Sequence, residues 1–307
     1  MDLGEETIRA AGAGEVAVRT LWSGVSRGTE RLVLEGRVPA SEHGRMRAPR
    51  QVGLFPFPVK YGYAAVGRVT EGPADLLGRT VFCLNPHEEA FVAPVEAVVP
   101  VPDGVPPRRA ALAAAMETAL NAVWDGGVGP GDRVVVVGAG PIGMLTAHLA
   151  AAIPATEVVV VDPDDGRRAA AEGLGLRTAE AVAGDEAADV VFHASATAEG
   201  LAGAIAAAGF EAKVVEMSWY GEGTVAAPLG GAFHANRLTL AGSQVGAVPA
   251  GRRARVSTRR RLETALRLLA DPRLDALIET EIAFTEAPRL LPGLLADRGG
   301  AIVLRYD

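Results

Sequence analysis

A glycine turn set between a strand and a helix constrains this chain more than any other feature. Arg133-Val134-Val135-Val136-Val137 is an unbroken run of β-forming residues, and Gly138-Ala139-Gly140-Pro141-Ile142-Gly143 follows it directly. An apolar helical pattern then covers 142–152. A Gly-x-Gly-x-x-Gly alone is a weak signal, but a strand before it and a helix after it make a dinucleotide site the expectation. Gly138 permits the tight turn, Gly140 lets the backbone approach a pyrophosphate, and Gly143 lets the helix pack closely on the strand. The phosphates belong at the helix N-terminus, where unpaired N–H groups and the helix dipole favour negative charge. Pro141 suits the first helical turn because its missing N–H would go unpaired there anyway, and Ile142 continues that turn. The next strand pattern, 158–161, runs into Asp162. An acidic residue there binds the ribose hydroxyls and repels a 2′-phosphate, which points to NAD. Arg167 and Arg168 stand close by and pair readily with phosphate, which keeps NADP as the alternative. FAD folds usually place such a turn near the N-terminus, whereas this one lies in mid-chain.

Around the turn, the pattern alternates between strand and helix. Strand patterns cover 134–137, 158–161, 189–192, 213–217 and 238–241; helical patterns cover 142–152, 165–174 and 197–208. The strands are continuous apolar runs, as in a parallel sheet covered on both faces. Alternation of this kind specifies an open, doubly wound sheet. The first hundred residues read differently. Short β-type runs at 15–20, 63–70, 80–83, 90–93 and 97–101 are separated by turn residues, which implies a small, largely β domain. An alanine-rich helix is expected over 109–123. Leu262, Ala265, Leu266 and Leu269 recur at helical spacing, and 300–305 reads as a last strand. With 307 residues, two domains are the expectation, and the fold class is α/β.

Composition excludes several classes. The net charge of −7 argues against a general nucleic-acid binder. No apolar run approaches the roughly 18 residues of a membrane span. The start, Met-Asp-Leu-Gly-Glu-Glu, lacks the basic and apolar segments of a secretory signal. Cys83 is the single cysteine, so an internal disulfide and a four-cysteine zinc site are both excluded. The reading is a cytoplasmic protein with a small-molecule substrate. Arg252, Arg253, Arg255, Arg259, Arg260 and Arg261 form a local basic cluster. It reads as a solvated loop, as a site for a phosphate or carboxylate of the substrate, or as a contact to the cofactor's pyrophosphate.

The stretch 129–143, Gly-Pro-Gly-Asp-Arg-Val-Val-Val-Val-Gly-Ala-Gly-Pro-Ile-Gly, together with Val161-Asp162-Pro163-Asp164, Arg167 and Leu174-Gly175, is similar to the cofactor motif of the medium-chain dehydrogenase/reductase superfamily, the zinc alcohol dehydrogenase-like group. The resemblance runs over nearly the whole chain. It implies a GroES-like β domain over 1–113, completed by 270–307, a Rossmann domain over 114–269, a cleft between domains, and a homodimer. It also implies that the junction at Ala194 and Ser195 lies near the nicotinamide ribose, where small residues let the backbone come close. The segment Ser23-Gly24-Val25-Ser26-Arg27-Gly28-Thr29-Glu30 is similar to members that oxidise the hydroxyethyl group of bacteriochlorophyll precursors, which implies a secondary alcohol or carbonyl substrate.

The zinc machinery departs from this family. Ser26 stands at the place of the first catalytic ligand, a cysteine in the family. Gly62-Tyr63-Ala64 replaces the Gly-His-Glu that holds the second, and Ala114 stands at the third. Serine, tyrosine and alanine do not make a zinc site, the cysteines of the structural lobe are missing, and no metal is expected. Hydride transfer belongs to the nicotinamide, so the protein must hold the substrate's oxygen and move a proton. Tyr63 is the first candidate donor, with Ser26 and Thr29 as further hydroxyl donors. Lys60, three residues before Tyr63, is expected to lower the phenol's pKa. Each has a structural reading as well: core filling for Tyr63 and turn hydrogen bonds for Ser26 and Thr29. Glu30 reads as an ion pair with Arg27, and His43 and His87 remain as acid–base candidates. The leading expectation is a zinc-independent, NAD(H)-dependent alcohol or carbonyl oxidoreductase. The alternatives are an NADPH-dependent reductase of activated C=C bonds or quinones, and a dinucleotide-binding protein without chemistry.

Overall fold

In the computed structural model, which describes residues 1–184 and 186–307, the first hundred residues supply strands β1 (Glu15–Val25), β2 (Val52–Gly53), β3 (Val59–Lys60), β4 (Ala65–Glu71), β5 (Thr80–Cys83), β6 (Ala90–Pro94) and β7 (Val98–Pro100). The middle supplies β8 (Arg133–Val137), β9 (Glu157–Val161), β10 (Arg177–Ala179), β11 (Ala188–His193), β12 (Ala208–Glu216) and β13 (Thr239–Gly242), and the end supplies β14 (Ile278–Ala283) and β15 (Ala301–Arg305). By contacts the chain forms two units, Met1–Ala114 with Leu262–Asp307, and Ala115–Arg261.

In the first unit, β1 is the spine. It pairs antiparallel with β4, β6 and β15 at once, and its register with β4 shifts on either side of 18–20, which lets one long strand serve several partners. Val16, Val18 and Thr20 alternate inward, and Val16 and Val18 join Ala65, Val69, Val81, Cys83 and Phe91 in a buried cluster. Glycine is needed where strand meets strand: a Cβ on Gly67 would stand 2.5 Å from the carbonyl oxygen of Arg19. The return of the chain starts earlier than the expected residue 270. Arg109, buried at 4% exposure, donates to both oxygens of Asp275 at 2.8 and 2.6 Å and to the carbonyls of Leu269 and Ala270, so those residues belong with the first unit.

Among the described residues the second unit holds six strands, all parallel, in the order β10-β9-β8-β11-β12-β13. In order of appearance this is 3-2-1-4-5-6, the doubly wound Rossmann arrangement, whose ligand crevice lies at the carboxyl ends of the strands where the order reverses. Here that point is between β8 and β11. Val134 to Val137 of β8, Val158, Val160 and Val161 of β9, and every residue of β11 but Asp189 are buried, as expected of strands covered on both faces. The expected helix over 109–123 is two helices, Pro107–Ala110 and Ala113–Gly126.

The arginine cluster is not one surface. Arg261 is 2% exposed; its Nε donates to Glu117 at 3.0 Å, and its other nitrogens reach Asn121 and the carbonyl of Val245. Arg252 lies over the ring of Trp124, 4.7 Å from its centroid. Burial pushes the Glu117 carboxyl above its ordinary range, although Arg261 acts to lower it. Among the described residues no helix is long and apolar enough to cross a membrane. Arg261→Ala strands Glu117 and Asn121 without their partner and is expected to cost about 3 kcal/mol in urea unfolding, with Arg261→Ala/Glu117→Gln less destabilised than the single change. A loss below about 0.5 kcal/mol would mean the pair is dispensable.

Candidate active site and dinucleotide turn

At the switch point of the parallel sheet, three pieces of backbone meet without a side chain between them. Gly138 leaves β8 at φ +108°, and a Cβ there would lie 2.8 Å from the backbone nitrogen of Ser195. A Cβ on Gly143 would lie 1.9 Å from the carbonyl oxygen of Gly138. Gly140 differs: nothing comes within 4 Å of its added Cβ, so its missing side chain leaves open space above the turn. The helix Pro141–Ala151 starts there with Pro141 in the first turn and no side chain capping it. Its first N–H groups have no partner within the helix, and Ile142 and Gly143 lie in that first turn.

Asp162, at the end of β9, is 4% exposed. One carboxylate oxygen accepts the N–H of Ala139 at 2.8 Å and the other that of Asp164 at 3.0 Å. A carboxylate has about four acceptor sites, so capacity remains. Arg167 approaches Asp162 at 3.5 Å, and its buried Nε has no hydrogen-bond partner. Arg168 donates to the carbonyl of Asp162 at 2.7 Å and pairs with Asp165.

The junction after β11 carries a network that sequence reasoning missed. The fully buried His193 bonds Glu216 through Nδ1 and the Ser195 hydroxyl through Nε2, both at 2.7 Å. Tyr220 donates to the same Glu216 oxygen at 3.0 Å, and the Ser195 hydroxyl also meets that of Thr197 at 3.1 Å. The Ser195 side chain is thereby tied back into the protein, and its backbone, with Ala194, is what faces Gly138. Burial opposes charge on Glu216, but His193 outweighs it and holds the carboxyl below its ordinary value. The signal available in the sequence was a His and a Glu as the last residues of two adjacent parallel strands.

In the first unit, Ser26, Thr29 and Tyr63 come together. Ser26 begins the helix Arg27–Leu34, but its hydroxyl makes no capping bond. The Ser26 and Thr29 side chains instead act on the Tyr63 phenol. Burial raises the phenol's pKa most; the two hydroxyls act against it and the Glu30 charge adds to it, so Tyr63 stays protonated. Tyr63 also ends a row of rings, with His43–Phe55, Phe55–Tyr61 and Tyr61–Tyr63 centroids 5.6, 5.8 and 6.0 Å apart.

Two expectations are corrected here. Lys60 does not lower the Tyr63 phenol, which is raised. Lys60 is committed to Glu6 at 2.7 Å and Glu88 at 2.8 Å; burial works against its charge, yet the carboxylates prevail and raise its pKa. Glu30 does not pair with Arg27, which donates to the carbonyls of Leu294, Gly300 and Asp297. Glu30 instead lies 3.0 Å from His87 Nε2 and accepts the N–H of Ser26 at 2.8 Å.

No family model matches the chain. Its curated relatives are alcohol and polyol dehydrogenases. L-galactonate-5-dehydrogenase of Escherichia coli K12 is 38% identical over 106 residues, 31% of this chain and 31% of that enzyme, so the matched segment spans under a third of the relative's length. Galactitol-1-phosphate dehydrogenase of Escherichia coli superposes with a TM-score of 0.77 at 18% identity, over 98% of this chain and 96% of the other. An alcohol dehydrogenase of Escherichia coli CFT073, solved with NADH, gives 0.75 at 17% identity over 98% and 94%. Over about a third of its length the chain is similar in sequence to alcohol and polyol dehydrogenases. Its fold, a GroES-like unit and a Rossmann unit, is theirs.

A nicotinamide dinucleotide fits the residues around this turn. Open space lies over Gly140, a helix N-terminus carries no cap, and Arg167 Nε is buried without a partner beside Asp162. A zinc ion does not fit Ser26, Tyr63 and Ala114, which offer neither thiolate, imidazole nor carboxylate. Among the described residues no three His, Cys, Asp or Glu side chains gather as a metal cluster.

The two glycines separate packing from binding. Gly143→Ala is expected to lose about 1–3 kcal/mol of stability from overpacking, while Gly140→Ala stays within about 1 kcal/mol of the parent. Urea unfolding of both variants checks this, and equal stabilities would refute the packing assignment.

Proposed function

We propose that this chain is a zinc-independent oxidoreductase that uses NAD(H) to interconvert a secondary alcohol and its carbonyl. The observation that carries the reading is that Ser26 and Thr29 come together on the Tyr63 phenol, with Ser26 and Tyr63 at places where the resemblance implies metal ligands. The kinship with alcohol and polyol dehydrogenases supports it. Such an enzyme would act in the cytoplasm as a homodimer, an assembly that rests on the resemblance alone.

When bound, the nicotinamide accepts or donates the hydride. The chain's residues then have these tasks. The N-terminus of the helix Pro141–Ala151 binds the pyrophosphate, and Gly140 leaves room for it. Asp162 accepts the ribose hydroxyls with the acceptor sites that Ala139 and Asp164 leave over. The backbone of Ala194 and Ser195, locked by His193 and Glu216, lines the nicotinamide end. Tyr63, protonated, donates a hydrogen bond to the substrate's oxygen and stabilises negative charge there. Ser26 and Thr29 hold the phenol in place and leave its single proton for the substrate. Lys60 has no part in proton transfer on this reading and ties the segment before Tyr63 to Glu6 and Glu88.

A second reading has one observation in its favour. The unpartnered Nε of Arg167 and its approach to Asp162 suit a 2′-phosphate, which favours NADPH and a reductase of activated C=C bonds or quinones. Fluorescence titration of the metal-free protein with NADH and with NADPH decides between them. Tighter NADH binding, abolished in Gly140→Val, is the expected result. Tighter NADPH binding moves the assignment to the second reading, and binding of neither refutes both.

Tyr63→Phe is expected to lower kcat about 100-fold with little change in KM, the usual cost of removing one donor to a developing oxyanion. Steady-state kinetics on secondary alcohols and ketones measures it. An unchanged kcat would leave Tyr63 as core filling.

A further inference from the structure

One line of polar groups in the first unit has no part in the scheme above. The Tyr306 hydroxyl lies 2.9 Å from the Ser23 hydroxyl, Ser23 lies 2.7 Å from His87 Nδ1, and His87 Nε2 lies 3.0 Å from Glu30. These residues come from β1 and the helix Arg27–Leu34 that follows it, the loop after β5 and the segment after β15, so the fold brings the line together from three separate stretches of chain. Ser23 is fully buried, Glu30 is 7% exposed and Tyr306 is 8% exposed. The backbone is shaped around it: Gly62, at φ +113°, has no Cβ, and one there would lie 2.6 Å from the His87 ring.

Burying an imidazole and a carboxylate costs desolvation that apolar side chains of the same volume would avoid, so packing alone gives no reason for them. Every inner member can both donate and accept. A proton entering one end and leaving the other shifts each hydrogen by one step and changes no other bond. The inner end is Glu30, whose charge reaches the Tyr63 phenol and whose Oε1 accepts the Ser26 N–H. The outer end is Tyr306, which lines a surface groove with Arg19, Glu71, Glu89 and Phe91.

We infer that Glu30, His87, Ser23 and Tyr306 form a proton relay between the Ser26–Thr29–Tyr63 hydroxyls and solvent. The inference rests on the oxidoreductase reading. Oxidation of an alcohol breaks its O–H and C–H bonds and forms C=O; the hydride goes to the nicotinamide, and one proton must leave. That proton passes to Glu30 and then to His87 Nε2. His87 Nδ1 gives its proton to Ser23, Ser23 gives one to Tyr306, and Tyr306 gives one to water in the groove. Carbonyl reduction runs the line the other way. Glu30 and His87 form the inner half of the line, and Ser23 and Tyr306 carry it outward.

The test uses Tyr306→Phe and His87→Ala. Tyr306→Phe keeps the ring that stacks on Phe284 at 4.6 Å and removes only the outer hydroxyl. Both variants should bind NADH as the parent does. His87→Ala should lower kcat about 100-fold with KM nearly unchanged, and added imidazole should restore much of the loss. Tyr306→Phe should lower kcat in the same direction. In the free protein, exchange of the His87 ring N–H with water, followed by proton and nitrogen NMR, should slow in Tyr306→Phe. Normal kcat in His87→Ala with NADH binding intact overturns the relay and leaves the oxidoreductase reading standing. Loss of activity that imidazole does not restore, with His87 exchange unchanged in Tyr306→Phe, overturns it as well and assigns the line a structural role. Should the parent protein turn over no alcohol or ketone, the oxidoreductase reading fails on that result, and the exchange measurement alone decides whether the line conducts protons.

Discussion

The contact of the Gly143 Cα with the carbonyl of Gly138, and of Gly138 with the Ser195 backbone, governs the geometry of the Rossmann unit. A single methyl group at 143 would overlap that carbonyl at 1.9 Å. Because no side chain intervenes, the helix Pro141–Ala151 begins directly on the end of β8, and the junction after β11 closes over the same spot. The N-terminal partial charge of the helix is thus aimed at the point where the strand order reverses. Asp162 holds the turn from the other side by accepting the Ala139 N–H. Gly140 alone is spared from packing, and it is the position where a ligand needs room.

The two units solve opposite electrostatic problems. Around the turn, the helix dipole and Arg167 beside Asp162 offer a setting for an anionic ligand. Around Tyr63, the groups that meet are hydroxyls, and Glu30, whose charge acts on the phenol, lies 3.0 Å from His87 Nε2. A phenol whose pKa burial raises is a poor base and a dependable donor. The Ser26 hydroxyl makes no capping bond to the helix it begins, while the Ser26 N–H is taken by Glu30.

Most of the Rossmann unit was legible because its signals are local. The valine runs, the glycine turn and Asp162 each declare themselves within a few residues, and β8, β9, β11 and the helices between them lie where those patterns fall. The elements that escaped notice depend on distant partners. β14 reads Ile-Glu-Thr-Glu-Ile-Ala and is a strand because β15 pairs with it. The helix Ala287–Ala296 contains Pro292 in its interior, which argues against a helix, and it is held by burial of Ala287, Leu291 and Leu295. Ser26, Thr29 and Tyr63 could be singled out from their places in the family pattern. The partners of Lys60, Glu30 and His193 could not, since each lies across a strand or loop that only the folded chain brings near.

The pairing of β1 with β15 sets an order of assembly. Residues 115–261 form a contiguous unit whose strands join near neighbours, so on the ribosome it can close while the rest of the chain is still being made. The first unit is made of both ends of the sequence. Its central strand waits with one edge unpaired, a liability for any exposed strand, until residues 301–305 emerge. Tyr306 follows that strand directly, so the line of groups reaching Glu30 is the last part of the fold to be completed, and a chain shortened by a few residues at its end would keep its nucleotide fold while losing both.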